Sequence, residues 1–267
     1  MKNLTDLYLP QELKSMIQNQ AYSVDNVGMS DSKVLIFEDK VLKIQPETVE
    51  TQTEHVMMNW LAGQLPVPQI LFHAVEDGIS YLLMSKIDGK MSCDEEYIQD
   101  SKRLTGILAE SLKRLWQVDI SDCPVRWDLQ HKLPVARKAV DTGVVDMENA
   151  EPETYGEGGF QDPAELMDWL YANQPGEDLV LSHGDFCLPN IFLKKNGVSG
   201  FIDLGRMGVA DRWQDIALCY RSLKHNYSGK YSGKTYGGYD PDFLFEALDM
   251  DPDWQKINYY ILLDELF

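Results

Sequence analysis

Three side chains in two neighbouring stretches have the types and spacing that phosphoryl transfer needs. Asp185 and Asn190 stand five positions apart in Ser182-His183-Gly184-Asp185-Phe186-Cys187-Leu188-Pro189-Asn190, and Asp203 follows in Gly200-Phe201-Ile202-Asp203-Leu204-Gly205-Arg206. In that chemistry an Asp contacts the hydroxyl that attacks the phosphoryl group. A nearby Asn and a second Asp hold the metal ions that bridge the nucleotide phosphates. Asp and Asn are also ordinary turn residues. That reading serves for either residue alone, but not for the whole pattern.

The surrounding elements must bring these residues together. Leu179-Val180-Leu181 reads as a strand entering the loop. Ile191-Phe192-Leu193 reads as a second strand, Lys195-Asn196-Gly197 as a hairpin turn, and Val198 to Ile202 as the return strand. The hairpin predicts that Asn190 and Asp203 end up at one place, near enough to share a metal. Upstream, Pro10 to Gln20 reads as an amphipathic helix, and Tyr22, Val24 and Val27 suggest a strand. Gly28-Met29-Ser30 is a turn, and Lys33 to Phe37 and Val41 to Ile44 are further strands. A strand–turn–strand tip can lie over phosphates and offer them backbone N–H groups; without G-x-G-x-x-G the signal is weak here.

Lys43 sits in an otherwise apolar strand, where an unpaired charge would be costly to bury. Val49, Thr53, Val56, Met57, Trp60 and Leu61 recur at helical spacing just after it, and Glu54 lies on that helix. A strand Lys paired with a helix Glu is the arrangement that grips α- and β-phosphates. The plain alternative is an exposed Lys and a solvated Glu. Pro66-Val67-Pro68 breaks the helix, and two strands, Gln69 to Val75 and Ile79 to Met84, flank an Asp77-Gly78 turn. Beyond Ser85-Lys86-Ile87-Asp88-Gly89 the pattern turns mainly helical. The expected division is residues 1–87 as a nucleotide-binding lobe and 88–267 as a larger lobe. The larger lobe would hold the catalytic loop, an acidic insert at about 141–161 and a C-terminal helix. Further helices are expected from Leu104 to Trp116, from Leu129 to Val140, after Asp162-Pro163, after Ala210-Asp211 and after Asp251-Pro252. Asp215, early in one of these, could bond catalytic-loop backbone, and Lys224 to Gly238 reads as a loop.

Bulk properties narrow the function. The 267 residues, 44% hydrophobic, suit a globular chain with an ample core. No apolar run approaches the roughly 18 residues that span a bilayer, and the first residues lack the apolar core of a signal peptide; a cytoplasmic location is expected. Four widely spaced cysteines suggest neither a disulfide framework nor a zinc site, and Cys187 is read as a partly buried, inert thiol. The net charge of −19 argues against nucleic acid and anionic membranes as partners and suits a cationic ligand. Between Asp146 and Asp178 there is no Lys, Arg or His. This acidic stretch could line a pocket for a cation, or be a solvated charge run.

These motifs resemble one family. Leu181-Ser182-His183-Gly184-Asp185, the Gly200 to Arg206 stretch, Leu82-Leu83-Met84-Ser85 and the ending Tyr259-Tyr260-Ile261-Leu262-Leu263-Asp264-Glu265-Leu266-Phe267 resemble the aminoglycoside 3'-phosphotransferases of antibiotic resistance, particularly the Gram-positive type. The resemblance covers nearly the whole chain. It implies an α+β, protein-kinase-like fold with two lobes. One is a small antiparallel sheet with one main helix, and the other is larger and mainly helical. It implies ATP and Mg2+ as cofactors and a kanamycin- or neomycin-type aminoglycoside as the phosphoryl acceptor, with a monomer or weak dimer expected.

By motif, Asp185 resembles the catalytic Asp, and Asn190 and Asp203 the metal ligands. Lys43 and Glu54 resemble the phosphate-gripping pair, Met29 and Ser30 the loop over the phosphates, and Ser85 and Ile87 the adenine contacts. Glu148, Asn149, Glu151, Arg206, Asp264, Glu265 and the Phe267 carboxylate resemble the residues that contact the aminoglycoside. Two departures stand out. Val41 occupies a position where close relatives carry an aromatic that stacks on adenine, which leaves GTP open beside ATP. The Lys224 to Gly238 segment has no likeness to the family. The alternatives are a kinase of another small hydroxylated metabolite (choline, homoserine or a thio-sugar), which should not need so many acidic groups at the chain end, and a binding module that has lost catalysis.

Overall fold

The computed structural model describes residues 8–24, 32–195 and 197–267. The expected phosphate-loop residues Met29 and Ser30 lie outside these ranges. Helix α1 (Gln11–Ile17) opens the described chain and is shorter than the periodicity suggested. Strands β1 (Ser23–Val24), β2 (Lys33–Ile36) and β3 (Lys40–Pro46) follow, then helix α2 (Val49–Leu61) and strands β4 (Ile70–Glu76) and β5 (Ile79–Ser85). The sheet is antiparallel in the order β1-β2-β3-β5-β4. Thr48 caps α2 through a reciprocal pair with Thr51, which stops the chain from extending β3 further.

Alternation along β3 and β5 divides the sheet into two faces. Leu42, Tyr81 and Leu83 pack with Leu9, Leu13 and Ile17 of the α1 segment. Leu82 and Met84 face the other way, into the main core with Met57, Met58 and Leu61 of α2. Val41 packs on that second face too. Lys43 shares its parity and is therefore presented to α2 and the Asp203 segment, not to the outer core.

The larger half comprises β6 (Lys90–Met91), α3 (Glu95–Ile98), α4 (Ser101–Trp116), α5 (Leu129–Thr142), α6 (Pro152–Tyr155) and α7 (Pro163–Ala172). After these come β7 (Leu179–Ser182), β8 (Ile191–Lys194), β9 (Gly197–Phe201), β10 (Gly208–Asp211), α8 (Arg212–Ser228), α9 (Asp242–Leu248) and α10 (Trp254–Asp264). The β8–β9 hairpin forms as the turn signal required. Strand β7 pairs with β10, which was not foreseen in the sequence. The segment read as a loop from Lys224 is helical as far as Ser228, because α8 ends only at Gly229, in the left-handed region at φ 80°. Buried Asp211 ties α10 into place by accepting from Lys256 Nζ at 2.8 Å and Tyr260 Oη at 3.0 Å. Among the described residues no helix is long and apolar enough to cross a membrane.

The outer core is small, so each member weighs heavily. Leu13→Ala should cost about 2–4 kcal/mol, read as a lower urea midpoint. A midpoint equal to the parent's would show that α1 contributes little to the sheet's stability.

Candidate active site

Strand β7 delivers the chain into a loop that one buried carboxylate organises. Asp215, on the first turn of α8, accepts from Ser182 Oγ at 3.0 Å, His183 N–H at 2.7 Å and Gly184 N–H at 2.9 Å. Burial pushes its carboxyl pKa up, although His183 and these hydrogen bonds favour the ion. Gln214 beside it donates Nε2–H to Gly184 O at 2.8 Å. Gly184 has φ +81°, and a Cβ there would lie 1.9 Å from Arg206 O. Only glycine lets the loop approach the Asp203 segment so closely.

Asp185 follows, and its Oδ2 accepts from Asn190 Nδ2 at 2.8 Å, while its carbonyl accepts from the same amide at 3.0 Å. The half-buried Cys187 thiol lies beside it, and burial and Asp185 push that thiol's pKa well up, as an inert cysteine requires. Ile202 N–H donates to Asn190 O at 3.0 Å, and His183 Nε2–H reaches Ile202 O at 3.0 Å. Asp203 is thereby fixed next to Asn190, in the left-handed region at φ 60° and ψ 61°. A non-glycine residue there carries strain of roughly 1–2 kcal/mol.

Lys43 spans the gap between the halves. Its Nζ lies 3.0 and 2.9 Å from the two Glu54 oxygens and 3.0 Å from Asp203 Oδ1. Burial works against its charge, but the two carboxylates outweigh that and raise its pKa. Lys43 in turn outweighs burial at Asp203 and lowers that carboxyl. Ser85 exchanges bonds with Gln69: its N–H donates to Gln69 O at 2.8 Å, and its Oγ accepts Gln69 N–H at 2.8 Å. Ile87 packs on Gly200 so closely that a Cβ there would come within 2.5 Å of its side chain. Both residues therefore lie where β5 leaves the sheet for the hairpin.

No group of three His, Cys, Asp or Glu able to hold a metal occurs among the described residues. Mg2+ does not require one, since it takes one or two protein oxygens and completes its shell with water and phosphate. The Asn190 amide turns its nitrogen to Asp185, which leaves its oxygen for a metal, and the Ile202 N–H to Asn190 O bond keeps Asp203 one residue away from this pairing. These two residues fit such an ion.

A second cluster surrounds the end of α10. Arg206 donates from Nε to Glu50 Oε1 at 2.9 Å and lies 3.3 Å from Asp264 Oδ1, with Phe267's ring 5.6 Å from its guanidinium carbon. Arg221 pairs with Asp264 and stands 3.7 Å from Glu265 Oε1. Burial would raise the Asp264 pKa, but Arg221 and Arg206 together hold it below the usual value. Glu265 Oε2 accepts Glu151 N–H at 3.1 Å, which joins the acidic insert to the C-terminal helix. Glu148 and Asn149 are not drawn in. They are exposed on a turn headed by Asp146, which accepts from both backbone N–H groups and from Asn149 Nδ2 at 2.7 Å.

Sequence reasoning missed Glu50, Lys132, Gln214, Arg221, His225 and Lys230. Gln214, Arg221 and His225 recur at helical spacing on one face of α8, a polar stripe that could have been noticed. Buried Lys132 donates to Gln214 Oε1 at 2.6 Å in a cavity of about 60 Å³ that Glu50, Arg206, Asp264 and Phe267 also line. Burial, reinforced by Arg206, pulls its pKa down to about 8.

A small sheet with one helix, a Lys–Glu pair reaching towards a second Asp, and an Asp–Asn loop in a helical half together make a two-lobed, protein-kinase-like phosphotransferase. The chain belongs to the phosphotransferase enzyme family, whose model matches residues 22–252, and to its aminoglycoside 3'-phosphotransferase group. It is 40% identical to an aminoglycoside 3'-phosphotransferase of Enterococcus faecalis over 99% of this chain and 100% of that one. One from Staphylococcus aureus is 39% identical, again over 99% and 100%. The crystal structure of an aminoglycoside-3'-phosphotransferase of type VIII superposes with a TM-score of 0.81 at 26% identity, covering 96% of this chain and 97% of that one.

Two substitutions test this geometry. Gly184→Ala forces the loop off Arg206 and should lower stability by on the order of 3 kcal/mol or more, read as a fall in Tm. The second uses pH. Burial pushes the Glu265 carboxyl up to about 7, against Arg221. Its proton is therefore held more tightly in the folded than in the unfolded chain. That contribution favours folding fully below the unfolded value of about 4.5, and is lost as pH rises through about 7. Glu265→Gln should accordingly raise Tm, relative to the parent, more at pH 8 than at pH 5. The opposite order would mean that Glu265 is stabilised as the ion.

Proposed function

We propose that this enzyme transfers the γ-phosphoryl group of ATP to the 3'-hydroxyl of kanamycin- and neomycin-type aminoglycosides, and so confers resistance where ATP is available, in the cytoplasm. The observation that carries the reading is the convergence of Lys43, Glu54 and Asp203 beside an Asp185 whose carboxylate is oriented by Asn190. Identity of 40% to an aminoglycoside 3'-phosphotransferase supports it over nearly the full length.

Residues 1–87 then form the nucleotide-binding lobe and 88–267 the acceptor lobe. Glu54 holds Lys43 extended so that its ammonium meets the α- and β-phosphates. Backbone groups of Ser85 and Ile87 meet the base, and Val41 forms part of the wall below it. Asn190 and Asp203 would hold Mg2+, which when bound offsets the charge of the phosphate oxygens. Asp203 is paired with Lys43, so nucleotide binding redistributes an ion pair that is already assembled. Asp185 orients the 3'-hydroxyl and accepts its proton late, because this chemistry is mostly positioning and electrostatics. Glu151, Asp264, Glu265 and the Phe267 carboxylate receive substrate ammonium groups, with Glu148 and Asn149 on the rim. Charge-assisted hydrogen bonds of this kind contribute about 1.5–3 kcal/mol each when well formed.

The test is ADP release with Mg-ATP and kanamycin A, set beside tobramycin, which lacks the 3'-hydroxyl. Turnover is expected with kanamycin A and little with tobramycin. Asp185→Asn should lower kcat by about 10²–10⁴. Equal turnover of the two drugs would assign another hydroxyl, and no turnover of either would remove aminoglycosides as the acceptor class.

A further inference from the structure

The Glu151 carboxylate, assigned above to substrate ammonium groups, already faces cations of its own chain. Lys230 Nζ lies 2.9 Å from both of its oxygens, and His225 Nε2 lies 3.2 Å from Oε1. Tyr231 Oη is 3.0 Å from the other nitrogen of His225. Burial lowers the His225 pKa, and Lys230, Arg221 and Lys224 add to the effect against Glu151. This favours the neutral ring, whose two nitrogens lie between Glu151 and Tyr231. Lys230 is the cation that meets both oxygens of this carboxylate.

Its position is built by the turn that ends α8. Gly229 ends α8 at φ 80°, and a Cβ there would stand 3.0 Å from the Lys234 backbone. Gly233 N–H closes back on Gly229 O at 2.7 Å, and Lys230 N–H is held by His225 O at 3.0 Å. This tight turn aims the Lys230 side chain at the acidic insert.

The cations of this cluster differ in how readily they can leave. The Arg221 and Asp264 side chains are 16% and 18% exposed, and breaking so buried a pair strands a charge. Lys230 is 38% exposed and Glu151 20%, so water can receive the ammonium as it departs. Bidentate geometry on one carboxylate is also what a substrate ammonium would adopt.

We propose that Lys230 is a built-in competitor for the Glu151 subsite, so that a cationic substrate binds there by exchanging its own ammonium for that of Lys230. The inference rests on the reading that Glu151 receives substrate amines. It makes Lys230 a specificity-determining residue. A neutral hydroxylated acceptor brings no positive charge to replace that of Lys230, whereas a polyamine-like drug does.

The test uses the full chain as Lys230→Met, Lys230→Arg, Glu151→Gln and the Glu151→Gln/Lys230→Met pair. Lys230→Met should lower the KM for kanamycin A roughly two- to fivefold, with the KM for ATP as the unmoved reference. Lys230→Arg should restore the parent value, and Lys230→Met should have no effect in the Glu151→Gln background. An unchanged or raised KM in Lys230→Met, or the same change with Glu151 neutralised, overturns the proposal. Spermidine binding, read by calorimetry on the same four proteins, decides the exchange independently of turnover. If the parent fails to phosphorylate kanamycin A, the acceptor reading falls. Tighter spermidine binding by Lys230→Met that depends on Glu151 would still uphold the exchange, and equal binding would sink it.

Discussion

Asp215 has no exposed surface and holds three donors of the catalytic loop, Ser182 Oγ, His183 N–H and Gly184 N–H. A buried carboxylate is tolerable only when its lone pairs are satisfied, so α8 and the loop can adopt only the geometry that satisfies them. The other constraints are attached to this one. Gly184 passes against Arg206, and Gln214 takes the Gly184 carbonyl. His183 reaches across to Ile202, which fixes the strained backbone of Asp203 beside Asn190. Lys43 then meets Asp203 from the opposite half, so the nucleotide-side ion pair depends on a carboxylate that touches neither it nor any reacting atom.

The catalytic half of this arrangement was legible in the sequence because its residues are local. Asp185, Asn190 and Asp203 lie on one strand–loop–hairpin unit, and Lys43 and Glu54 on a neighbouring strand and helix. Period and turn chemistry reveal such units directly. The bonds of Asp215 to the loop are longer in range, and were expected from its place near the start of a helix. The β7–β10 pairing was not legible, because Gly208-Val209-Ala210-Asp211 is short and becomes a strand only through a distant partner. The end of α8 was misread for the opposite reason. Asn226, Tyr227 and Ser228 have weak helical preference, yet Tyr227 is buried and donates to Ile98 O at 2.8 Å, so packing overrides propensity. Lys132 went unremarked because a single basic residue on a helix carries no pattern until folding shows what it faces.

The cluster around the end of α10 follows a different electrostatic logic from the Lys43, Glu54 and Asp203 group. The chain carries 19 net negative charges, yet Glu151, Asp264 and Glu265 each face an internal cation. Pairing keeps a dense acidic cluster from repelling itself. It also sets a threshold, because an incoming ligand must offer more than Lys230 already gives. The buried Arg221 pair supplies the fixed part of the cluster and the exposed Lys230 pair the exchangeable part.

The proposed reaction requires the Asp185 loop to present one particular hydroxyl to the γ-phosphate. The most direct measurement is a proton–phosphorus correlation spectrum of the product formed from kanamycin A and Mg-ATP. A single monophosphate is expected, its phosphorus coupled to the proton on the 3' carbon. A phosphate coupled to any other position, or ATP consumed without a phosphorylated drug, would contradict it.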